Sequence, residues 1–395
     1  MSALAGIRVL DLGLLVQGPQ AGLLLAELGA DVIKVELPGM GDQARWIPIA
    51  MDDLRFPYWE GCNRGKRSIT LDLRTPGGKE AFLRLADTAD VVLSNFKPGT
   101  LDGWGLGYDV LSERNPGVIY ATGSTFGSAG PSAQQEGADL AGQAAGGLIS
   151  TTGMDGTTPT PVGVTIADHI GSQNMTVGIL SALFARTGTG RGQRVEVSLL
   201  GGQIYAQASE YTYTLMTGEN PGRSNAGHPL LPMAYGVLPT ADGHIALVGV
   251  LPDKREAFLE ALGLPELVHD ARFESPIMTT PVRLQLFELL GEATKTRTTA
   301  EWIEVFDAIG IRRAPVNDYV AAIDDPDVVA NGYVVEATDP NGATRRVVGP
   351  PILLSDTPAQ VHAVAPELGQ NTEEILLEVG YDWDDIAALR DGGAI

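Results

Sequence analysis

The chain has 395 residues, 44% of them hydrophobic, and 27 basic against 49 acidic side chains give it a formal net charge of -22. This supplies a large core and two domains, and so negative a chain excludes nucleic acid and an anionic membrane as partners, since both need a positive footprint. One cysteine, Cys62, rules out a disulfide framework and a thiolate cluster, and the five histidines (169, 228, 244, 269, 362) have no zinc-type spacing, so no metal is expected. In chain order, residues 7–12, 21–28 and 32–36 read as strand, helix and strand around a Gly-Pro turn, a βαβ unit that implies a parallel sheet. A helix over 78–87 and strands at 91–93 and 118–121 continue the pattern, and the sum is an α/β doubly wound domain. Residues 137–149, rich in Ala and Gly, read as a packed helix, 201–216 as a buried helix with aromatic residues, and 218–232 as a Gly/Pro/Asn linker. A smaller unit follows, with strands at 236–239 and 244–250 and helices at 254–262, 282–293, 299–308 and 319–323. Strands at 333–337 and 345–348 and a final helix at 372–379 complete the chain.

The first residues lack a basic stretch followed by an apolar one, and no apolar run approaches the ~20 residues that span a bilayer, so a cytoplasmic protein is expected. Asp168 is the most informative residue. It lies between an apolar, β-branched run at 161–167, read as extended, and a segment from His169 to Arg186 in which Met175, Ile179, Leu180, Leu183 and Phe184 recur at helical spacing. An aspartate at a helix start is a good N-cap, which alone would explain the choice. The same position suits a nucleophile, because a helix N-terminus lowers a carboxylate's pKa and aspartate can form acyl intermediates. After the helix, Arg186-Thr-Gly-Thr-Gly-Arg-Gly-Gln193 reads as a glycine-rich stop and Arg194-Val-Glu-Val-Ser-Leu-Leu200 begins as a strand.

At this point the chain resembles the family III CoA-transferases, in which an aspartate, an apolar helix and T-G-x-G-Q-x-V-x-V carry the catalytic carboxylate. The likeness extends through Leu4-Ala-Gly-Ile-Arg-Val-Leu-Asp-Leu12, Gly18-Pro19, Leu28-Gly-Ala-Asp-Val-Ile-Lys-Val-Glu36, Asn63-Arg-Gly-Lys-Arg-Ser-Ile-Thr-Leu-Asp-Leu73, Asn95-Phe-Lys-Pro-Gly99, Tyr235-Gly236, Asp242-Gly243 and Ala365-Pro-Glu-Leu-Gly369. The resemblance implies an acyl-CoA:carboxylic acid CoA-transferase that uses coenzyme A as acyl-CoA co-substrate, needs no metal, and takes an acyl-CoA donor and a carboxylic acid acceptor. It also implies a Rossmann-like large domain (1–200 and 326–395), a linker (201–232), a smaller α/β domain (233–325), and two chains interlocked as a homodimer. Asp168 would attack the thioester to give an acyl-aspartyl anhydride, and the released thiolate would convert this to an aspartyl-CoA thioester. Backbone N–H donors in a flexible loop or at the start of the Asp168 helix should face the tetrahedral oxyanion.

A glutamine of the first loop supports the aspartyl intermediate in that family; Gln17 or, with the loop one residue shorter, Val16 takes its place. Coenzyme contacts map onto Leu71, Asp72 and Arg74, onto Asn95, Phe96 and Lys97, and onto Gly137 and Asp139, where Asp139 is either a substrate-positioning group or a cap. Where the formyl-CoA branch carries arginines and a lysine, this chain has Pro38, Gly103 and Glu136, so phosphate contacts pass to Arg45, Arg74 and Lys97. Aromatic residues and methionines, among them Trp46, Trp59 and Tyr211, could line an acyl pocket, and Arg223 or His228 could read the acceptor carboxylate. An α-methylacyl-CoA racemase is the first rival, but Ala138 stands where its proton-moving histidine would. A nicotinamide-dependent dehydrogenase, suggested by the βαβ unit and Glu36, lacks the phosphate loop, since Gly13, Gly18 and Gly22 have the wrong spacing for G-x-G-x-x-G.

Overall fold

The computed structural model describes residues 2–231, 233–275 and 278–395; Pro232, the last residue of the expected linker, lies outside them. Six strands, β1 (Arg8–Asp11), β2 (Asp31–Glu36), β3 (Arg67–Thr70), β4 (Val91–Ser94), β5 (Ile119–Ser124) and β6 (Arg194–Ser198), form one parallel sheet in the order β3-β2-β1-β4-β5-β6. The order reverses between β1 and β4, which is where an open α/β sheet leaves a crevice at the carboxyl ends of its strands. Alternation along the strands supplies both faces. Leu10, Ile33, Val92 and Tyr120 enter the core beneath the Pro76–Asp87 helix. Val9, Val32, Val91 and Ile119 enter the core covered by the Gln17–Glu27 and Ile166–Thr189 helices. Each fully buried aliphatic side chain of this kind contributes about 2 kcal/mol.

Two compact units divide the chain: the chain up to Gly146 with Val162–Ala206 and Pro326–Ile395, and Gly147–Pro161 with Gln207–Asp325. In the second, β7 (Tyr235–Pro239), β8 (His244–Val248) and β9 (Arg313–Pro315) form an antiparallel sheet. Its core gathers Leu247, Phe258, Leu290, Trp302 and Phe306 from that sheet and its helices. The first unit ends with the hairpin β10 (Val334–Thr338) and β11 (Thr344–Val348) and two helices, Thr372–Glu378 and Trp383–Asp391.

Several sequence-based boundaries are corrected. The packed helix expected over 137–149 is two, Asp139–Ala145 and Leu148–Thr151, broken where Gly147 takes φ +79°. The run at 161–167 is no strand, since Ile166 and Ala167 already belong to the Asp168 helix; that helix ends at Thr189, inside the expected glycine-rich stop, where Gly190 takes φ +68°. The segment 201–216 is not one buried helix; Leu199–Ala206 is followed by Ala208–Thr217, which buries no residue. Phe184, expected on the apolar face of its helix, is 80% exposed. The helix at 372–378 is not the last.

Candidate active site

Asp168 is the third residue of the Ile166–Thr189 helix, and the N-cap is Thr165, so the capping explanation fails. The capping carboxylate is borrowed from another helix. Asp139 Oδ1 accepts the N–H of Ala167 at 2.7 Å and of Asp168 at 3.2 Å, while its Oδ2 accepts Gln143 Nε2 at 2.6 Å. Gln143 in turn accepts the N–H of Val162 at 3.0 Å and donates to the Val164 carbonyl at 3.2 Å, tying down the irregular segment before the helix. Sequence reasoning missed Gln143; the four-residue spacing from Asp139 on one helix face was the available signal. Ile166 N–H goes to Val164 O and His169 N–H to Thr165 O. All four N–H groups of the first turn are therefore spent inside the protein, which overturns the expectation that they would face an oxyanion.

The electrostatics of Asp168 also reverse the sequence-based expectation of a lowered pKa. Burial, and then the Asp139 carboxylate, push it up to about 7. Desolvation penalises the charged form and a like charge adds to it, and together they outweigh a helix dipole, two of whose first-turn N–H groups already bond an anion. His169 is turned away: its Nδ1 bonds Gln20 Oε1 and its Nε2 lies 3.3 Å from Thr165 Oγ1, and burial lowers its pKa.

Gln17 opens the neighbouring Gln17–Glu27 helix, and Val16 is that helix's N-cap; both are buried. The Gln17 amide lies between the end of β5 and the turn after Asp168. A Cβ on Gly123 would fall 2.4 Å from its Oε1, and one on Gly171 would fall 2.7 Å from its Nε2. These two glycines make room for the amide. Gln17 Nε2 has no hydrogen-bond partner, a costly state for a buried donor unless something else occupies it. Val16, with an apolar side chain, offers nothing to an oxyanion.

The loop before Gln17 runs over buried charge. Lys34 Nζ is 2.8 Å from Asp42 Oδ2 and 3.9 Å from Asp11 Oδ1, and Lys66 Nζ is 2.7 Å from Asp11 Oδ2. Burial lowers the pKa of Lys66; for Lys34 burial acts the same way, but Asp11, Asp42 and Glu36 together outweigh it and raise the value. Gly22 is part of this arrangement, because a Cβ there would lie 2.7 Å from Asp11 Oδ2. Glu36 is consumed by Arg45, Ser68 Oγ and the Asp42 N–H, so it offers no carboxylate to a ribose.

Of the expected coenzyme contacts, Leu71, Asp72, Arg74 and Phe96 come together with Leu12 and Leu14 around a cleft of about 270 Å³ at the carboxyl edge of the sheet. Arg74 is held by Asp72 at 2.8 Å with most of its side chain exposed. Lys97 lines a second cleft of about 250 Å³ over the ends of β4, β5 and β6, with Phe96, Tyr120 and Arg194. The other candidates have partners within the protein. Arg45 spends its guanidinium on Glu36 at 2.8 Å and stacks on Trp59 at 3.4 Å. Asn95 accepts the Leu14 N–H at 2.7 Å and donates to the Leu14 carbonyl at 2.9 Å, a backbone clamp across the β1–β4 reversal. Asp139 has both oxygens occupied by the protein, and Gly137 packs against Thr125. Trp59 is buried under Arg45. Arg223 and His228 belong to the second unit, where His228 Nε2 is 3.2 Å from Glu210.

Comparison with known proteins places these features in context. A model of CoA-transferase family III matches residues 4–372. Succinyl-CoA–D-citramalate CoA-transferase of Chloroflexus aurantiacus is 34% identical over 97% of this chain and 96% of its own length. Formyl-CoA:oxalate CoA-transferase of Streptomyces coelicolor is 34% identical over 100% of this chain and 99% of its own. Among solved structures, a CaiB/BaiF family protein from Brucella suis superposes with a TM-score of 0.85 at 33% identity, covering 96% of this chain and 99% of that one.

Proposed function

The chain belongs to CoA-transferase family III and is an enzyme that transfers CoA, and from that premise we propose that Asp168 is its covalent carrier and Gln17 its oxyanion donor. The ionised Asp168 carboxylate attacks the donor thioester carbonyl; the C–S bond breaks and CoA thiolate leaves an acyl-aspartyl anhydride. The thiolate then attacks the aspartyl carbonyl, the donor acid departs, and an aspartyl-CoA thioester remains. An acceptor carboxylate attacks that carbonyl and frees the thiolate, which takes the acceptor's carbonyl and restores Asp168. Protons balance throughout, so no external base is needed.

The observation that carries this reading is the unpartnered, buried Gln17 Nε2 set against the turn that follows Asp168. It is a ready donor for an oxygen that becomes negative at the aspartyl carbonyl. The raised pKa of Asp168 supports a carboxylate held ready to react rather than one held by an ion pair. The cleft at Leu71–Arg74 suits the adenine end of CoA, with Arg74 and Lys97 as phosphate-facing cations. The strand order supports a doubly wound, Rossmann-like sheet with the ligand at its switch point. Exposed Val177, Phe184 and Tyr205 in the first unit support a homodimer that covers them, which light scattering would register as twice the chain's mass.

Relatives named for succinyl-CoA, formyl-CoA, oxalate and citramalate support short acyl-CoA donors and dicarboxylate acceptors. The test incubates succinyl-CoA or formyl-CoA with oxalate, citramalate, glutarate or mesaconate and follows new CoA esters by mass spectrometry, beside Asp168→Ala. Product from the native protein and none from the variant is expected. Undiminished turnover by the variant removes Asp168 from the chemistry, and proton exchange at the α-carbon without CoA migration replaces transfer with racemisation.

A further inference from the structure

Four buried ionisable side chains, Asp11, Lys34, Asp42 and Lys66, take no part in the chemistry above. Apolar fillings of the same volume are often as stable as such clusters, so a role beyond stability is to be sought. What the cluster holds supplies one. Asp11 Oδ1 accepts the Gly13 N–H at 2.7 Å, Lys34 Nζ donates to the Gly13 carbonyl, and Asp42 Oδ1 accepts the Leu15 N–H at 2.9 Å. Lys66 Nζ donates to the Pro19 carbonyl at 2.7 Å. Between these, Asn95 takes both backbone groups of Leu14. Every main-chain donor and acceptor from Gly13 to the Leu15 N–H is thus bonded to a side chain of another segment or to Asp11.

Leu15 is the only non-glycine among the described residues with positive φ, at +62°. A leucine rests there only when its surroundings over-determine the backbone. Two residues later the chain presents Gln17, whose Nε2 is left without a partner.

We infer that Lys34, Asp42 and Asn95 are positioning residues for Gln17: they hold the left-handed turn at Leu15 so that the amide meets the aspartyl carbonyl already oriented, with no reorganisation during turnover. This rests on the reading of Gln17 as the oxyanion donor. The cations lie under the loop because an unbalanced Asp11–Asp42 pair could not stay buried to accept those N–H groups.

The test is a set of double-mutant cycles. Gln17→Ala, Asn95→Ala and Asp42→Asn, alone and with each of the last two added to Gln17→Ala, are assayed with the donor and acceptor that give most product in the screen above. Gln17→Ala is expected to lower kcat about 100-fold, the scale of one lost oxyanion donor, with the KM for acyl-CoA little changed. Asn95→Ala and Asp42→Asn should each lower kcat about tenfold or more, and should add less than about twofold once Gln17 is alanine, because residues acting through one group are not additive. An equal fractional loss in both backgrounds means a merely structural role and overturns the inference. Full kcat in Gln17→Ala instead removes the underlying reading, and the inference with it. Should Asp42→Asn fail to fold, Asn95→Ala, whose side chain is only partly buried, decides the matter alone.

Discussion

Two helix entrances lie side by side at the site, that of Gln17–Glu27 and that of Ile166–Thr189. Both use buried carboxylates that accept backbone N–H groups: Asp11 and Asp42 before the first, Asp139 at the second. They differ in counter-charge. Lys34 and Lys66 neutralise Asp11 and Asp42, whereas no cation pairs with Asp139 among the described residues. Burial, and after it this uncompensated charge, push the Asp168 carboxyl up to about 7. The same device therefore only positions the backbone at one entrance, and both positions and tunes at the other.

Stripping the counter-charge from the first entrance should have the largest effect. Lys66→Ala leaves Asp11 buried with only Lys34, 3.9 Å from its Oδ1, as counter-charge, and a loss of about 3 kcal/mol is expected from denaturant unfolding; a loss below about 1 kcal/mol would mean that Lys34 alone compensates Asp11. At the second entrance, Asp139→Asn removes a like charge but keeps an oxygen for the Ala167 and Asp168 N–H groups. With the ionised Asp168 as nucleophile, the rate of the native enzyme rises with pH through about 7 and is flat above it. The variant's acidic limb should move to lower pH, so that at pH 6 it keeps a larger fraction of its plateau rate. It does not return to the ordinary value, because burial is the larger cause. An unmoved limb would show that Asp139 does not set the titration.

The smallest effect is on stability. A carboxylate whose pKa is raised in the fold opposes folding once pH exceeds its ordinary value of 3.8, and the penalty is complete above about 7. Asp168→Asn should therefore abolish transfer yet raise Tm at pH 8 by about 2 °C, with no gain at pH 3. A variant less stable at pH 8 would break the contrast between an uncompensated and a neutralised entrance.

Much of this was legible from local patterns. Leu10, Val32, Val91 and Ile119 lie in apolar runs that are strand-like because both faces of a parallel sheet are buried. Thr298 and Glu301 form the capping box that starts the Thr299–Ile309 helix, within a residue of the expected boundary. Local patterns misled where a distant side chain did the work. A cap stood beside the nucleophile as a reading of Asp168 because the group that does the capping, Asp139, is 29 residues away. Nothing local reveals that Arg45 bonds Glu36 or that Asn95 bonds the Leu14 backbone. The glycines at 13, 18 and 22 failed as a phosphate loop, and at least Gly22 instead leaves room for a buried ion pair.

The sequence by itself determined the alternation of strands and helices, the family, and the aspartate at a helix start, since hydrophobic period and short motifs are properties of neighbouring residues. Tertiary structure alone decided the protonation of Asp168, the orphaned amide of Gln17 and the pairing of four buried charges. Each depends on the desolvation and distance of groups tens of residues apart, and Coulomb and hydrogen-bond energies are set by that geometry rather than by order along the chain.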